Sequence, residues 1–309
     1  MNERRMSTIL GKIIGAILVV AISVGIFFGS YYFFQKINNK KIKGVYYYDG
    51  TIYEDSDDFK DNYGYLYLEN KNENQGKLYE NLYHTAIDFL HKKKDLEEYN
   101  NQNLSLFGLN KMSKYRVTLD QAIQTYEIFE RDNPEFYWLT RIYTDETNTR
   151  ISFSIDMDYV KYEDRLNYDN IINSKLHEID LLMSTTLTDF QKVYRLYHYI
   201  DDNMEYNYDD LDTCFDHNII GFFVNKLGVC ECYSETFMLL CNRYGITNIQ
   251  LWSNEHAWNT AKVDGKWYIF DVTNDFFGKS EDFYSEYGDT YKYNKLMYTK
   301  PEISETDII

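Results

Sequence analysis

A cysteine, a histidine and an aspartate occur in this chain in the order that a thiol nucleophile requires. Cys230 follows Gly228-Val229 and opens the segment Cys230-Glu231-Cys232-Tyr233-Ser234-Glu235. Beyond it Tyr233, Phe237, Leu240, Cys241 and Tyr244 fall on one helical face, and Gly245 closes the run. The spacing predicts a buried helix with Cys230 in its first turn, where unpaired N–H groups and the helix dipole favour a thiolate. His256-Ala257-Trp258-Asn259 begins a β-prone run, Asp264-Gly265 is a strong tight-turn signal, and Lys266 to Val272 forms the returning run. A two-residue turn there sets Asp271 opposite Trp258, so His256 and Asp271 share a face as diagonal neighbours about 7 to 8 Å apart. The side chains bridge that gap. A thiol nucleophile needs a base to take its proton and a carboxylate to fix the tautomer of that base. Each residue alone has an ordinary structural use, since cysteine is among the most buried residue types and a strand histidine is commonly a core residue. The convergence of all three on one hairpin face and one helix start points to chemistry. Cys230 and Cys232 as a metal pair lack the wider spacing and the second ligand pair of a structural zinc site.

The elements that must carry these residues are legible in outline. Thr188 or Asp189 caps a lead-in helix holding Val193, Leu196, Tyr197 and Ile200, and helical patterning begins upstream at about Tyr168. Before it, Leu78, Leu82, Tyr83, Ala86, Phe89 and Leu90 predict a helix from about Gly76 to Tyr99. Thr118 and Gln121 form a capping box for a helix reaching Arg131, which Pro134 brings to an end. Trp138 to Thr144 and Arg150 to Ile155 read as two strands joined by a polar turn. Val45 to Leu68 is rich in Tyr and Asp with strand-like stretches. The fold class is α+β, with a soft boundary near residue 165.

The order Cys230, His256, Asp271, with Gly-Val-Cys opening a helix, His-Ala-Trp-Asn, and an Asp-Gly hairpin running into Trp267-Tyr268-Ile269-Phe270-Asp271-Val272-Thr273, resembles the bacterial transglutaminase-like superfamily. The resemblance covers about residues 185 to 275. Lys192-Val193, His198-Tyr199-Ile200, Asn203 with Tyr206, and Asn133-Pro134-Glu135-Phe136 support it. It implies a papain-like core in which the helix-start cysteine packs on an antiparallel sheet. It also implies acyl transfer on peptide or protein amides, with Cys230 attacking, His256 shuttling the proton and Asp271 orienting His256. Glu231, Tyr233 and Trp258 are expected along the substrate groove, and no metal or other cofactor is required. Related sequences commonly read Cys-Gln-Gly-Tyr where this chain has Cys230-Glu231-Cys232-Tyr233, and they often place Trp at the position of Asn274. From a different class, a catalytically idle domain of the same fold would serve as a binding or scaffolding module.

The composition bounds the partners. A net charge of −17, from 32 basic and 49 acidic residues, argues against a nucleic-acid backbone as partner. Ile13 to Gln35 has no charged residue, which at about 1.5 Å per residue suffices to cross a bilayer core of about 30 Å, and it ends in the aromatic run Tyr31 to Phe34. The segment plan is therefore a tail at 1–12, a transmembrane anchor at 13–35, a linker at 36–43, an α+β region at 44–165 and the transglutaminase-like domain at 166–309. Lys and Arg flank the anchor on both sides, and a short segment before it with a large acidic domain after it favours an outward-facing domain at the cell envelope. Cys214, Cys230, Cys232 and Cys241 leave the disulfide state open, and the oligomeric state is likewise open.

Overall fold

Residues 58–92, 94–96, 105–183, 186–208, 213–253, 256–279 and 301–308 are described by the computed structural model. Among them no helix is long and apolar enough to cross a membrane, and the anchor expected at 13–35 lies outside the described residues, as do the tail and linker beside it.

The site rests on a four-stranded antiparallel meander in the order β6 (Asn248–Trp252), β7 (Ala257–Val263), β8 (Lys266–Asp271) and β9 (Phe276–Gly278). Asp264 and Gly265 both take positive φ, 48° and 87°, which gives the β7–β8 turn the twist that a two-residue hairpin demands. The predicted register holds, with Asn259 opposite Phe270 and Val263 opposite Lys266. Nearly every β7 residue is buried, because helix α7 (Cys230–Arg243) packs across β6 and β7. Phe237 of that helix stacks on Phe270 of the sheet at 5.4 Å. Asn259 also donates its side-chain amide to the Ser234 carbonyl at 3.1 Å, pinning helix to strand. The helix ends in a Schellman motif: Gly245, at φ 73°, donates to Asn242 O, and Ile246 donates to Cys241 O at 2.9 Å.

Helix α6 (Asp189–Asn203) leads into the chemistry, and Thr188 with Gln191 forms its capping box. Val193, Leu196, Tyr197 and Ile200 are buried at three- and four-residue steps. Helix α5 (Tyr162–Leu182) precedes it and begins six residues before the predicted onset at Tyr168. Buried Arg165 accounts for the earlier start, because it donates to the carbonyls of Tyr159, Val160 and Lys94 and so fixes the first turn.

Among the described residues the upstream region supplies a three-stranded sheet, ordered β1 (Ser105–Lys111), β3 (Arg150–Ile155), β2 (Arg141–Thr144), and four helices. These are α1 (Tyr63–Lys71), α2 (Glu73–Lys92), the single turn α3 (Met112–Tyr115) and α4 (Leu119–Asp132). Thr118 and Gln121 form the expected capping box of α4. Three expectations change. Residues 63–68 are helical rather than strand-like, because a Cβ on Gly64 would stand 2.4 Å from Asp132 Oδ2 and Ile128 Cγ2, so glycine lets α1 lie directly on α4. Helix α2 runs over 73–92 rather than 76–99; Leu96 N donates instead to Val160 O at 2.9 Å. Strand β2 starts at Arg141 rather than Trp138, because Trp138 is packed in the core between Phe89, Phe107 and Phe136.

One cluster of buried apolar side chains runs from Phe59 through Trp138 and Phe237 to Ile303, on both sides of residue 165. The described residues all fall within the compact unit Lys43–Ile309. Polar bonds cross the same boundary: Arg131 donates to Gln250 Oε1 at 2.7 Å, and Asn242 donates to Asp132 O at 3.1 Å.

Candidate active site

The approach to Cys230 is held by backbone. The short strand β4 (Glu205–Tyr206) pairs in parallel with β5 (Leu227–Gly228), Asn207 N donates to Gly228 O at 3.0 Å, and Val229 N donates to Asp216 O at 2.9 Å. Val229 is extended and Cys230 is the first helical residue, so its N–H lies in the turn where helical N–H groups have no intrahelical acceptor. The departure at Cys232 has a packing reason. Its thiol is buried between two glycines, since a Cβ on Gly221 would stand 2.8 Å from the Cys232 sulfur and one on Gly228 would stand 2.7 Å from its Cβ. Burial pushes the Cys232 thiol far up from its ordinary pKa, so it stays protonated and does not compete as a nucleophile. All four cysteines are free.

His256 stands immediately before β7, where Ser253 fixes its backbone by donating to His256 O at 2.8 Å and accepting from His256 N at 3.2 Å. Asp271, the last residue of β8, is 1% exposed and places Oδ2 2.7 Å from His256 Nε2. Nδ1 is the ring nitrogen that this contact does not engage, and the Cys230 thiol acts on the same imidazole. Burial alone would lower the His256 pKa. The hydrogen bond to Asp271 and its negative charge, with the neighbouring Cys230 acting in the same direction, outweigh it and raise the value to about 9. The imidazolium form is therefore the favoured one beside the sulfur. The ring of Trp258 stacks on His256 at 5.8 Å and 13°, which fixes the imidazole plane.

The structure thus brings Cys230, His256 and Asp271 together. The three groove candidates fall differently. Trp258, 1% exposed, packs beneath the imidazole. Tyr233 is buried and donates its hydroxyl to Met204 O at 3.2 Å, inside the core rather than along an open groove. Glu231 is held in an ion pair with Arg131 at 3.0 Å and lies 3.0 Å from His217 Nδ1, while still lining a cavity beside the helix. Arg131 itself lies 3.8 Å over the Trp252 ring.

Asn274 belongs to the site as well. Its side-chain amide donates to Asp271 Oδ2 at 2.9 Å and lies 3.3 Å from His256 Nε2, and its backbone N–H donates to Asp271 Oδ1 at 3.3 Å. Its place three residues past Asp271, the end of the hairpin strand, is the signal that points to it.

The residues at the site have relatives. Residues 180–272 match the model of the Transglutaminase-like superfamily. Among solved structures, the chain is similar to a candidate cysteine protease from Cytophaga hutchinsonii, with 21% identity, a TM-score of 0.27, and coverage of 32% of this chain and 37% of that one. It is also similar to a TGase structure, with 15% identity, a TM-score of 0.32 and coverage of 47% of each chain. The chain thus spans less than half the length of either structure. No curated protein matches it. The stretch that holds Cys230, His256 and Asp271 is thus a transglutaminase-like domain.

Proposed function

We propose that this chain is a thiol enzyme performing acyl transfer on peptide or protein amides. The observation that carries the reading is the 2.7 Å contact of Asp271 with His256 Nε2, which leaves the other ring nitrogen for Cys230 at a helix start. In the first half-reaction the Cys230 thiolate attacks the amide carbonyl carbon. The carbon–nitrogen bond breaks, His256 gives its proton to the departing amine, and a thioester on Cys230 remains. The oxyanion formed on the way is met by the Cys230 backbone N–H. In the second half, neutral His256 takes a proton from water or from an acceptor amine as that group attacks the thioester. Hydrolysis or cross-linking results, and the Cys230 thiol leaves. Asp271 orients the imidazole throughout, and Asn274 and Trp258 keep that pair in place. The apolar, uncharged run at 13–35 supports a membrane tether, with the enzyme facing outward at the cell envelope.

An activated acyl donor such as a p-nitrophenyl ester tests the first half-reaction. The expected result is a hydroxylamine-labile acyl group mapped to Cys230 by peptide mass spectrometry, absent from Cys230→Ser and from His256→Ala. Acylation distributed over other residues, or unchanged in those variants, would remove the enzyme reading.

A further inference from the structure

Beside the first two turns of α7 lies a cavity of about 270 Å³, bounded also by the Pro134–Leu139 segment and the Cys214–Asn218 turn. Glu130, Asp156, Glu231 and Glu235 present four carboxyl groups to it. Their partners differ. Glu231 is bound by Arg131 and His217. Glu235, one helical turn further along and 7% exposed, accepts no hydrogen bond and joins no ion pair among the described residues, and neither does the partly buried Glu130. Burying a carboxyl without a donor is costly, and these two line a cavity that a donor can enter. Burial pushes Glu235 well above its ordinary pKa and Glu130 up to about 8, outweighing the Arg131 guanidinium, which acts on both while its ion pair goes to Glu231.

The spread of the acids decides the class of ligand. Among the described residues only Asp156, Asp158 and Cys214 bring three metal-ligating atoms within 4.8 Å of one another, so Glu130, Glu231 and Glu235 do not converge on a single ion. A dispersed wall of carboxyl groups facing the apolar sides of Phe136, Tyr137 and Leu139 suits a cationic head on a hydrocarbon stem, whose charge draws Glu235 and Glu130 into their ionised form. Arg141, exposed at the mouth, is the one arginine or lysine in the lining. We infer that this cavity takes the ammonium or guanidinium of a basic side chain, held by Glu235 and Glu130. Glu231 of the lining follows Cys230 in the first turn of α7, so the cavity lies beside the same helix start that carries the thiol. Calling that ligand a substrate rests on the proposed thiol chemistry; the binding itself does not.

Isothermal titration of the full-length Cys230→Ala protein tests this apart from catalysis. The probes are Nα-acetyl-arginine amide, Nα-acetyl-lysine amide and their neutral counterpart Nα-acetyl-citrulline amide. At least one cationic amide is expected to bind saturably and at least tenfold more tightly than the citrulline amide. Glu235→Gln and Glu130→Gln, each in the same background and each checked for its circular dichroism spectrum, weaken that binding fivefold or more. Preference for one cation distinguishes ammonium from guanidinium. Equal binding of charged and neutral amides, or affinity unchanged in whichever glutamate variant folds, overturns the inference. Because the thiol is absent from the tested protein, a negative result here leaves the enzyme reading standing, and an inert Cys230 leaves a positive result here standing.

Discussion

Asn274 grips Asp271 with its backbone N–H on Oδ1 and its amide on Oδ2, at 3.3 and 2.9 Å, so the carboxylate cannot rotate away from His256. A hydrogen bond to a charged group is worth about 1.5–3 kcal/mol. Asn274→Ala therefore lowers the rate of Cys230 alkylation at neutral pH by about tenfold, read by timed mass spectrometry, while the circular dichroism spectrum stays as in the wild type. An unchanged rate would deny Asn274 its positioning role. The pairing of His256 with Asp271 was legible in the sequence because a two-residue Asp-Gly turn fixes a hairpin register by counting, which brings the two to one face. The partners of Glu231 were not legible. Arg131 is 100 positions away in the chain, and only tertiary packing sets it against Glu231. Cys232 stands in the sequence only as a departure from the Cys-Gln-Gly-Tyr pattern with its disulfide state open, and the closeness of Gly221 and Gly228 shows it to be a packed, free thiol.

Helix α6 packs against α7, the helix that Cys230 opens, and its start was readable to within one residue, Thr188 or Asp189; the structure gives the cap to Thr188, which exchanges hydrogen bonds with Gln191. Thr188→Ala removes the acceptor for Gln191 N and should cost about 1 kcal/mol. Urea unfolding followed by tryptophan fluorescence should show a lower midpoint at an unchanged slope; an unchanged midpoint would mean that the cap carries no stability. Elements whose state depends on distant contacts were less legible. The tyrosine-rich 63–68 stretch has strand propensity, yet it is helical because Gly64 allows close approach to α4 and Tyr65 N donates to Asp132 Oδ2 at 3.1 Å. Strand β2 is shorter than its sequence suggests for a related reason. Trp138 looks like a strand residue by type, but it is consumed by an aromatic cluster to which two other segments contribute Phe89 and Phe107, beside its own neighbour Phe136.

At the scale of the whole molecule, the upstream region and the transglutaminase-like domain share one apolar core and a set of charges buried between them. Glu130, on α4, faces Arg131, Glu231 and Glu127, and burial raises its pKa from 4.5 to about 8. Its sign follows from linkage. The unfolded chain ionises near 4.5 while the folded one resists, so stability present below pH 4.5 is lost as pH rises through about 8. Glu130→Gln should accordingly match the wild-type melting temperature near pH 4.5 and exceed it at pH 8.5. A difference that does not grow with pH would contradict the buried-carboxyl account. The most direct test of the central claim also uses the whole chain, because its four free thiols serve as internal controls. Burial pushes Cys214 up to about 11, and it raises Cys232 and Cys241 as well. Iodoacetamide applied to the folded, reduced, full-length protein at neutral pH, with each cysteine peptide quantified over time, should label Cys230 at least tenfold faster than the other three, and His256→Ala should abolish that lead. Labelling of Cys230 no faster than Cys214, or a lead that survives His256→Ala, would show that the imidazole does not activate this thiol.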